Sequence, residues 1–270
     1  MTAQPLKGKV ALITGAARGQ GRAEAVRLAR DGAAIIAVDI CGPLDTTTYP
    51  AATLEDLDET VALVQAEEQP IVAVQADVRD FCALQDAVAE GVRVHGRLDI
   101  VVANAGMTTG AMSWEISLEQ WKETIDINLT GAFHTLKATI PILIKQNEGG
   151  SIIIISSVAG LKGLPFLAHY CAAKHGVVGL AKSTANELAQ YNIRVNTIHP
   201  FGVNTQLVVA EVGALLVEHA ATLGPTFMRA LPDALSEPED VANAVAWLAS
   251  DQARHVTGIQ LPVDLGALIR

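Results

Sequence analysis

The sequence predicts an α/β fold: one doubly wound domain over residues 1–270, with about seven parallel strands and helices on both faces of the sheet. Three observations carry this. Short β-branched runs alternate with longer amphipathic segments, the pattern of repeated β-α-β units. Several runs are apolar throughout, such as "SIIIIS" (Ser151–Ser156), as expected of strands covered on both faces. No internal repeat, low-complexity tract or linker divides the chain.

In chain order, the β-branched runs predict strands at Val10–Thr14, Ala34–Asp39, Ile71–Ala76, Ile100–Ala103, Ser151–Ser156, Arg194–Ile198 and Gly258–Pro262. The segments between them predict helices near Gly21–Arg30, Leu54–Glu68, Phe81–His95, Leu118–Lys145, Ala168–Gln190 and Pro238–Ala249. Thr53 followed by Asp56 offers a capping start to the second helix. The acidic run Glu55, Asp56, Asp58 and Glu59 reads as a solvated first turn favoured by the helix dipole.

Two stretches interrupt the rhythm. "CGPLDTTTYPAA", Cys41–Ala52, is too long for a connection that usually takes ~2–6 residues. The other runs from Phe201 to about Ser236 and is rich in Val, Leu and Ala. Long excursions of this kind tend to be lids or binding loops. Phe201, Leu207, Val208, Leu215, Leu216, Phe227 and Met228 read either as an apolar substrate cover or as ordinary helix core.

Half the residues are apolar and the formal net charge is −10, which argues against nucleic acid or an anionic membrane as partner. The start "MTAQPLKGKVALIT" lacks the apolar core of a signal peptide, and no apolar run approaches the ~18 residues of a membrane span. The expected location is the cytosol, with Cys41, Cys82 and Cys171 as free thiols. The seven histidines form no metal-binding spacing, so no metal is expected, and His169 and His175 read as surface or supporting residues.

Chemistry enters with "ALITGAARGQGRAEAV". Gly15, Gly19 and Gly21 lie between a strand and a helix, where glycines allow a tight turn and let the backbone approach a diphosphate at the helix N-terminus. In that setting the triplet reads as the dinucleotide-binding, Rossmann-type fingerprint. Asp39 ends the second apolar run eighteen residues after Gly21. A carboxylate there accepts hydrogen bonds from ribose hydroxyls and repels a 2′-phosphate. Arg18 pulls the other way, but it is free to swing aside or cover the adenine, so NAD is favoured over NADP. Further on, "AHYCAAKHGVVGL" puts Tyr170 and Lys174 on one helix face at i, i+4. A lysine ammonium beside a phenol lowers its pKa from ~10. Ser157, closing the strand run, can hydrogen-bond a substrate oxygen shared with that tyrosine.

These features in this order, with "ANAG" after the fourth strand and Asn128 between, resemble the short-chain dehydrogenase/reductase family over essentially the whole chain. The resemblance implies Tyr170 as general acid/base, Lys174 on the nicotinamide ribose, Ser157 orienting the substrate oxygen and Asn128 holding a water of a proton relay. The cofactor would lie against Gly15, Arg18, Gly19, Gln20, Gly21, Asp39, Ile40, Asp77, Val78, Asn104, Ala105 and Gly106. Beyond Tyr170 and Lys174, Val203 and Thr205 would complete the site. "HPFGVNT", His199–Thr205, is similar to the family's Pro-Gly-x-Val-x-Thr segment, with Phe201 in place of the glycine.

"TGAARGQGR", "VDIC", "YPAATLEDLDETV", "VVANAG" and "LPVDLGALIR" are similar to a narrower group, the mycobacterial carveol dehydrogenase-like or mycofactocin-coupled oxidoreductases. That likeness implies oxidation of a hydrophobic or cyclic, terpenoid-like secondary alcohol and a tightly held NAD. It also implies that an external redox cofactor, mycofactocin, takes the electrons, and that the chain forms a homotetramer. The insertion is expected to fold over the adenosine half of the cofactor. An NADP-linked ketoacyl- or steroid-type reductase and a non-catalytic nucleotide sensor of the same fold remain as alternatives. A Ser-His-Asp hydrolase does not, because no G-x-S-x-G elbow is present.

Overall fold

A computed structural model describes residues 4–207, 210–232 and 235–270. Its centre is a seven-stranded parallel sheet in the order β3-β2-β1-β4-β5-β6-β7. The strands are β1 (Val10–Thr14), β2 (Ala34–Asp39), β3 (Ile71–Gln75), β4 (Ile100–Ala103), β5 (Gly150–Ile155), β6 (Ile193–Pro200) and β7 (Gln260–Val263). Alternate residues feed opposite faces, as the two-residue repeat of a strand requires. Leu12, Ile152 and Ile154 join one buried cluster, while Ile13, Ile153 and Ile155 join the other. The all-isoleucine stretch is thus one row for each of two cores.

Helices α1 (Gly19–Arg30), α2 (Leu54–Ala66) and α8 (Pro238–Ala249) cover the second face through Leu28, Leu57, Val64, Val241 and Val245. Helices α3 (Phe81–His95), α5 (Gly131–Gln146) and α6 (Ala168–Leu188) cover the first through Leu84, Val88, Leu136, Leu143 and Val177. The capping box read at the second helix is present: Thr53 N–H donates to Asp56 Oδ2 and Asp56 N–H to Thr53 Oγ1.

Three differences from the sequence reading are instructive. The helix expected at Leu118–Lys145 is α4 (Leu118–Ile125), one wider π-turn (Asp126–Thr130) and then α5. In the π-turn the Gly131 amide reaches back to the Asp126 carbonyl, and the Asn128 side-chain amide takes over the Thr124 carbonyl. Strand β6 runs past Ile198 to Pro200, because β7 pairs along it as far as Pro200↔Val263. The excursion after Phe201 contains a helix of its own, α7 (Ala210–Glu218), with no fully buried residue. A bridge between Val203 and Ser236 closes the excursion at its base.

Candidate active site

The carboxyl edge of the sheet opens into a groove. At its middle, β1 ends and the chain turns at Gly15, whose φ of +69° lies in the left-handed region. A side chain on Gly21 would place Cβ 2.0 Å from the Gly15 carbonyl oxygen, so only glycine lets α1 start there. Arg18 caps α1 without a side-chain hydrogen bond, leaving the first-turn amides free toward the groove. Asn104 stitches β4 to this turn: its Nδ2 donates to the carbonyls of Thr14 (2.9 Å) and Gly15 (3.2 Å).

The acidic end of β2 organises the next part. Asp39 Oδ2 accepts from Ala17 N–H and Oδ1 from Cys41 N–H, both at 2.9 Å. One carboxylate therefore fixes the glycine loop to the root of the insertion. The insertion then runs along the groove, which Gly42, Leu44, Thr47, Tyr49, Ala51 and Ala52 line together with Asp39, Ile40, Asp77 and Val78. Its fastening is Glu123, a buried carboxylate that accepts from Asp45 N–H (3.0 Å), Thr46 N–H (2.9 Å) and Thr46 Oγ1 (2.6 Å) and pairs with Arg79. Burial alone would raise its pKa, but these bonds and the Arg79 charge hold it below the usual carboxylate range. Arg18 does not swing free. It donates to the Pro50 carbonyl (2.6 Å) and to Gln206 Oε1 (2.5 Å), spanning the two long excursions.

At the other end, α6 presents Tyr170 and Lys174. Lys174 is 3% exposed, and its Nζ donates to the Ile155 carbonyl at 2.8 Å. Burial brings its pKa down to about 8. Tyr170 departs from the expectation of a lowered phenol: burial pushes its pKa up, and a hydrogen bond from Ser157 opposes the rise only in part. The lysine Nζ stands 5.4 Å from the Tyr170 ring centre. Ser157 Oγ is positioned by the Ala159 amide at 3.1 Å.

Asn128 does not line the groove. It is 1% exposed, and its Nδ2 donates to the carbonyls of Met107 (2.8 Å) and Thr124 (2.9 Å) behind Gly106. A Cβ on Gly106 would meet Asn128 Oδ1 at 2.9 Å and Lys174 Nζ at 3.5 Å, so the absence of that side chain leaves room for the Asn128 amide oxygen and the Lys174 amino group. Val203 borders an adjoining cavity. The Val203–Ser236 bridge uses the Gly202 carbonyl and Asn204 amide, which turns the main-chain groups of Val203 itself away from it. Thr205 and Gln20 line both spaces. The glycine missing at Phe201 is made good one residue later, where Gly202 adopts φ +59°.

The adjoining cavity is walled by Leu164, Leu167, Pro200, Phe201, Leu207, Val212 and Phe227, with Ser157, Tyr170 and Thr108 among its polar members. Of the residues read as an apolar cover, Phe201, Leu207 and Phe227 reach it. Leu215 and Leu216 do not, Met228 is exposed, and Val208 lies outside the described residues.

Two site residues escaped the sequence reading of roles. His199 is buried, with Nδ1–H donating to the Ser157 carbonyl (2.6 Å) and Nε2 accepting from Thr197 Oγ1 (2.7 Å). Burial takes its pKa down to about 4, so it is a neutral strut under Ser157. Tyr49 is the other. His169, adjacent to Tyr170, is buried with Nε2 against Thr109 Oγ1 at 2.8 Å, whereas His175 is exposed. Among the described residues, no group of His, Cys, Asp and Glu side chains gathers at metal-binding distance, and no helix is long and apolar enough to cross a membrane.

These features fit a dinucleotide: an uncapped helix start for the diphosphate, glycines where a Cβ would block the approach, and Gln20 Oε1 buried without a donor. The comparisons with known proteins agree. The family model for short chain dehydrogenases matches residues 9–213. The (-)-trans-carveol dehydrogenase of Rhodococcus erythropolis is 43% identical, covering 98% of this chain and 99% of that one. An uncharacterised NAD-dependent oxidoreductase of Mycobacterium tuberculosis is 47% identical, covering 97% of each chain. Two crystal structures superpose closely. A short chain dehydrogenase from Mycobacterium paratuberculosis bound to NAD has a TM-score of 0.96 at 48% identity, covering 98% of this chain and 100% of that one. The carveol dehydrogenase from Mycobacterium avium in complex with NAD has a TM-score of 0.93 at 47% identity, covering 98% and 99%. With the family model spanning most of its length and relatives of this identity running end to end, the chain belongs to the short-chain dehydrogenase family.

Proposed function

We propose that this chain is an NAD-dependent alcohol dehydrogenase acting on a hydrophobic, cyclic secondary alcohol of the carveol type, with residues 1–270 working as one dinucleotide-binding and catalytic domain. The observation that carries the reading is the place of Tyr170. It is shared by the dinucleotide groove, which also holds Lys174, and by the apolar cavity, which also holds Ser157. A substrate hydroxyl in that cavity meets the tyrosine, while its carbon faces the groove.

The residues divide the work. Tyr170 takes the alcohol proton at its phenolic oxygen, and Ser157 Oγ shares the substrate oxygen and orients it. Lys174, anchored on the Ile155 carbonyl, favours the phenolate that burial disfavours. Asn128 shapes the π-turn and keeps the floor behind Gly106 in register. When bound, NAD supplies the hydride acceptor. Asp39 favours it over NADP, since a 2′-phosphate would lie against a carboxylate already bound to two amides.

The substrate class follows the cavity wall. Aliphatic and aromatic side chains surround a few hydroxyl-bearing residues, Ser157 and Tyr170 among them, which suits a compact apolar ring with one polar substituent. The 43% identity to a (-)-trans-carveol dehydrogenase supports the same class. The insertion covers the cofactor and slows its exchange, so the electrons pass to an external acceptor, for which a peptide-derived cofactor, mycofactocin, is the candidate. We place the chain in the cytosol as a homotetramer on the same footing.

The test begins with denaturing purified protein and identifying any nucleotide released, then screening cyclic secondary alcohols with an artificial electron acceptor. Tyr170→Phe is expected to retain the nucleotide and to lose ~10²–10⁴-fold in kcat. Unchanged turnover in that variant overturns the reading. Full-rate cycling with added NAD overturns the coupling to an external acceptor.

A further inference from the structure

The insertion reaches further than the adenosine half. Tyr49, near its end, lines the groove in company with Tyr170, Lys174 and Asn104–Gly106. Its hydroxyl oxygen is buried and makes no full hydrogen bond with the protein. Burial pushes the phenol's pKa up to about 12 against the opposing pull of the Thr108 backbone and the Arg18 charge, and its own field raises Tyr170 in turn. The two phenols therefore lie in one electrostatic neighbourhood at the catalytic end.

A buried hydroxyl without a partner costs ~1–3 kcal/mol. This one is not carried on a loose strand. Thr46 is fastened to Glu123 on one side, and the Pro50 carbonyl is bonded to Arg18 on the other. The phenol is thus set in place on the groove wall before any ligand arrives, with its hydroxyl free to donate. What completes it follows from where it stands. Tyr49 lines the groove and, although Thr108 and Tyr170 near it belong to the wall of the apolar cavity, Tyr49 itself does not line that cavity. The groove instead offers uncapped helix amides and the Asp39 carboxylate, a setting for diphosphate and ribose oxygens. Those oxygens accept hydrogen bonds, and a phenol donates one.

We propose that Tyr49 is a ligand of the bound dinucleotide, its hydroxyl donating to a ribose or phosphate oxygen on the catalytic side of the groove. The insertion then grips the cofactor instead of only walling it in. This rests on the dinucleotide reading above but not on the alcohol chemistry.

The test is the release rate of NAD from the loaded protein, followed by chase with a labelled nucleotide. Tyr49→Phe keeps the ring and removes the donor. It is expected to speed release about tenfold, the loss of one buried hydrogen bond. Tyr49→Leu, which removes the ring as well, is expected to release faster still, with the circular dichroism spectrum of both variants unchanged. An unchanged release rate in Tyr49→Phe overturns the proposal. So does a raised KM for the alcohol with unchanged release, which would assign the hydroxyl to the substrate. Tyr170→Phe separates the two readings: lost turnover with slow release leaves Tyr49's role standing, and a wild-type protein that binds no dinucleotide sinks both.

Discussion

Lys174 illustrates how much one buried side chain depends on its surroundings. Its ammonium is anchored on a strand-end carbonyl, and its neighbour Tyr170 is a phenol that burial makes a weaker acid. The pair was legible in the sequence because both members sit on one helix turn and need only local geometry. The direction of the Tyr170 shift was not legible, because it depends on side chains from distant parts of the chain closing over the ring. His199 was hidden for the same reason: only the pairing of β6 with its neighbours puts its imidazole under Ser157. Under the proposed function, Lys174→Met removes the cation that favours the phenolate. The alkaline rise of the pH–rate profile for alcohol oxidation is therefore expected to move up by about a unit or more, measured as kcat against pH with saturating substrate. A profile that stays in place would remove Lys174 from the proton-transfer machinery.

Among the elements, the regular ones were readable and the irregular ones only in outline. Strands β1, β2 and β4 and helix α3 have the predicted bounds because their period and their flanking turns agree. The π-turn at Asp126–Thr130 could not be read from periodicity, since one extra residue in a helix leaves the amphipathic pattern almost unchanged. The insertion's length was plain in the sequence but its path was not, because the path is set by Glu123, far away on α4. That dependence makes a prediction at the level of the element. Glu123 has a lowered folded-state pKa, so its contribution is fully present above the ordinary value of ~4.3 and is lost as pH falls through the lower folded value. NAD release, followed by fluorescence or by chase, is expected to accelerate at such acidic pH. Glu123→Gln, which keeps one acceptor and loses the charge, is expected to show fast release already at neutral pH.

For the molecule as a whole, the layered topology was readable because apolar strand runs, glycine turns and amphipathic helices all point to one arrangement. One residue breaks that agreement. Glu24 is 0% exposed in α1, among the side chains that face the core, and neither carboxylate oxygen has a partner. Burial pushes its pKa up to about 8. Such a group holds its proton in the folded state, so stability is greatest below the unfolded pKa and falls as pH rises toward the folded one. Glu24→Met, similar in length and without charge, is expected to raise the melting temperature at pH 8 by several degrees (~2 kcal/mol) and by less at pH 5. Thermal unfolding at the two pH values checks it, and an equal shift at both would contradict it. The guanidinium of Arg18 has a consequence for the order of events. It is tied at once to Pro50, in the insertion, and to Gln206, a groove-lining residue of the second excursion whose chain neighbours Thr205 and Leu207 also line the apolar cavity. The two excursions thus share one latch. Under the proposed function, an alcohol that tightens the second excursion is expected to delay the departure of the dinucleotide behind the first, and by reciprocity a resident dinucleotide is expected to deepen the hold on the alcohol by the same factor.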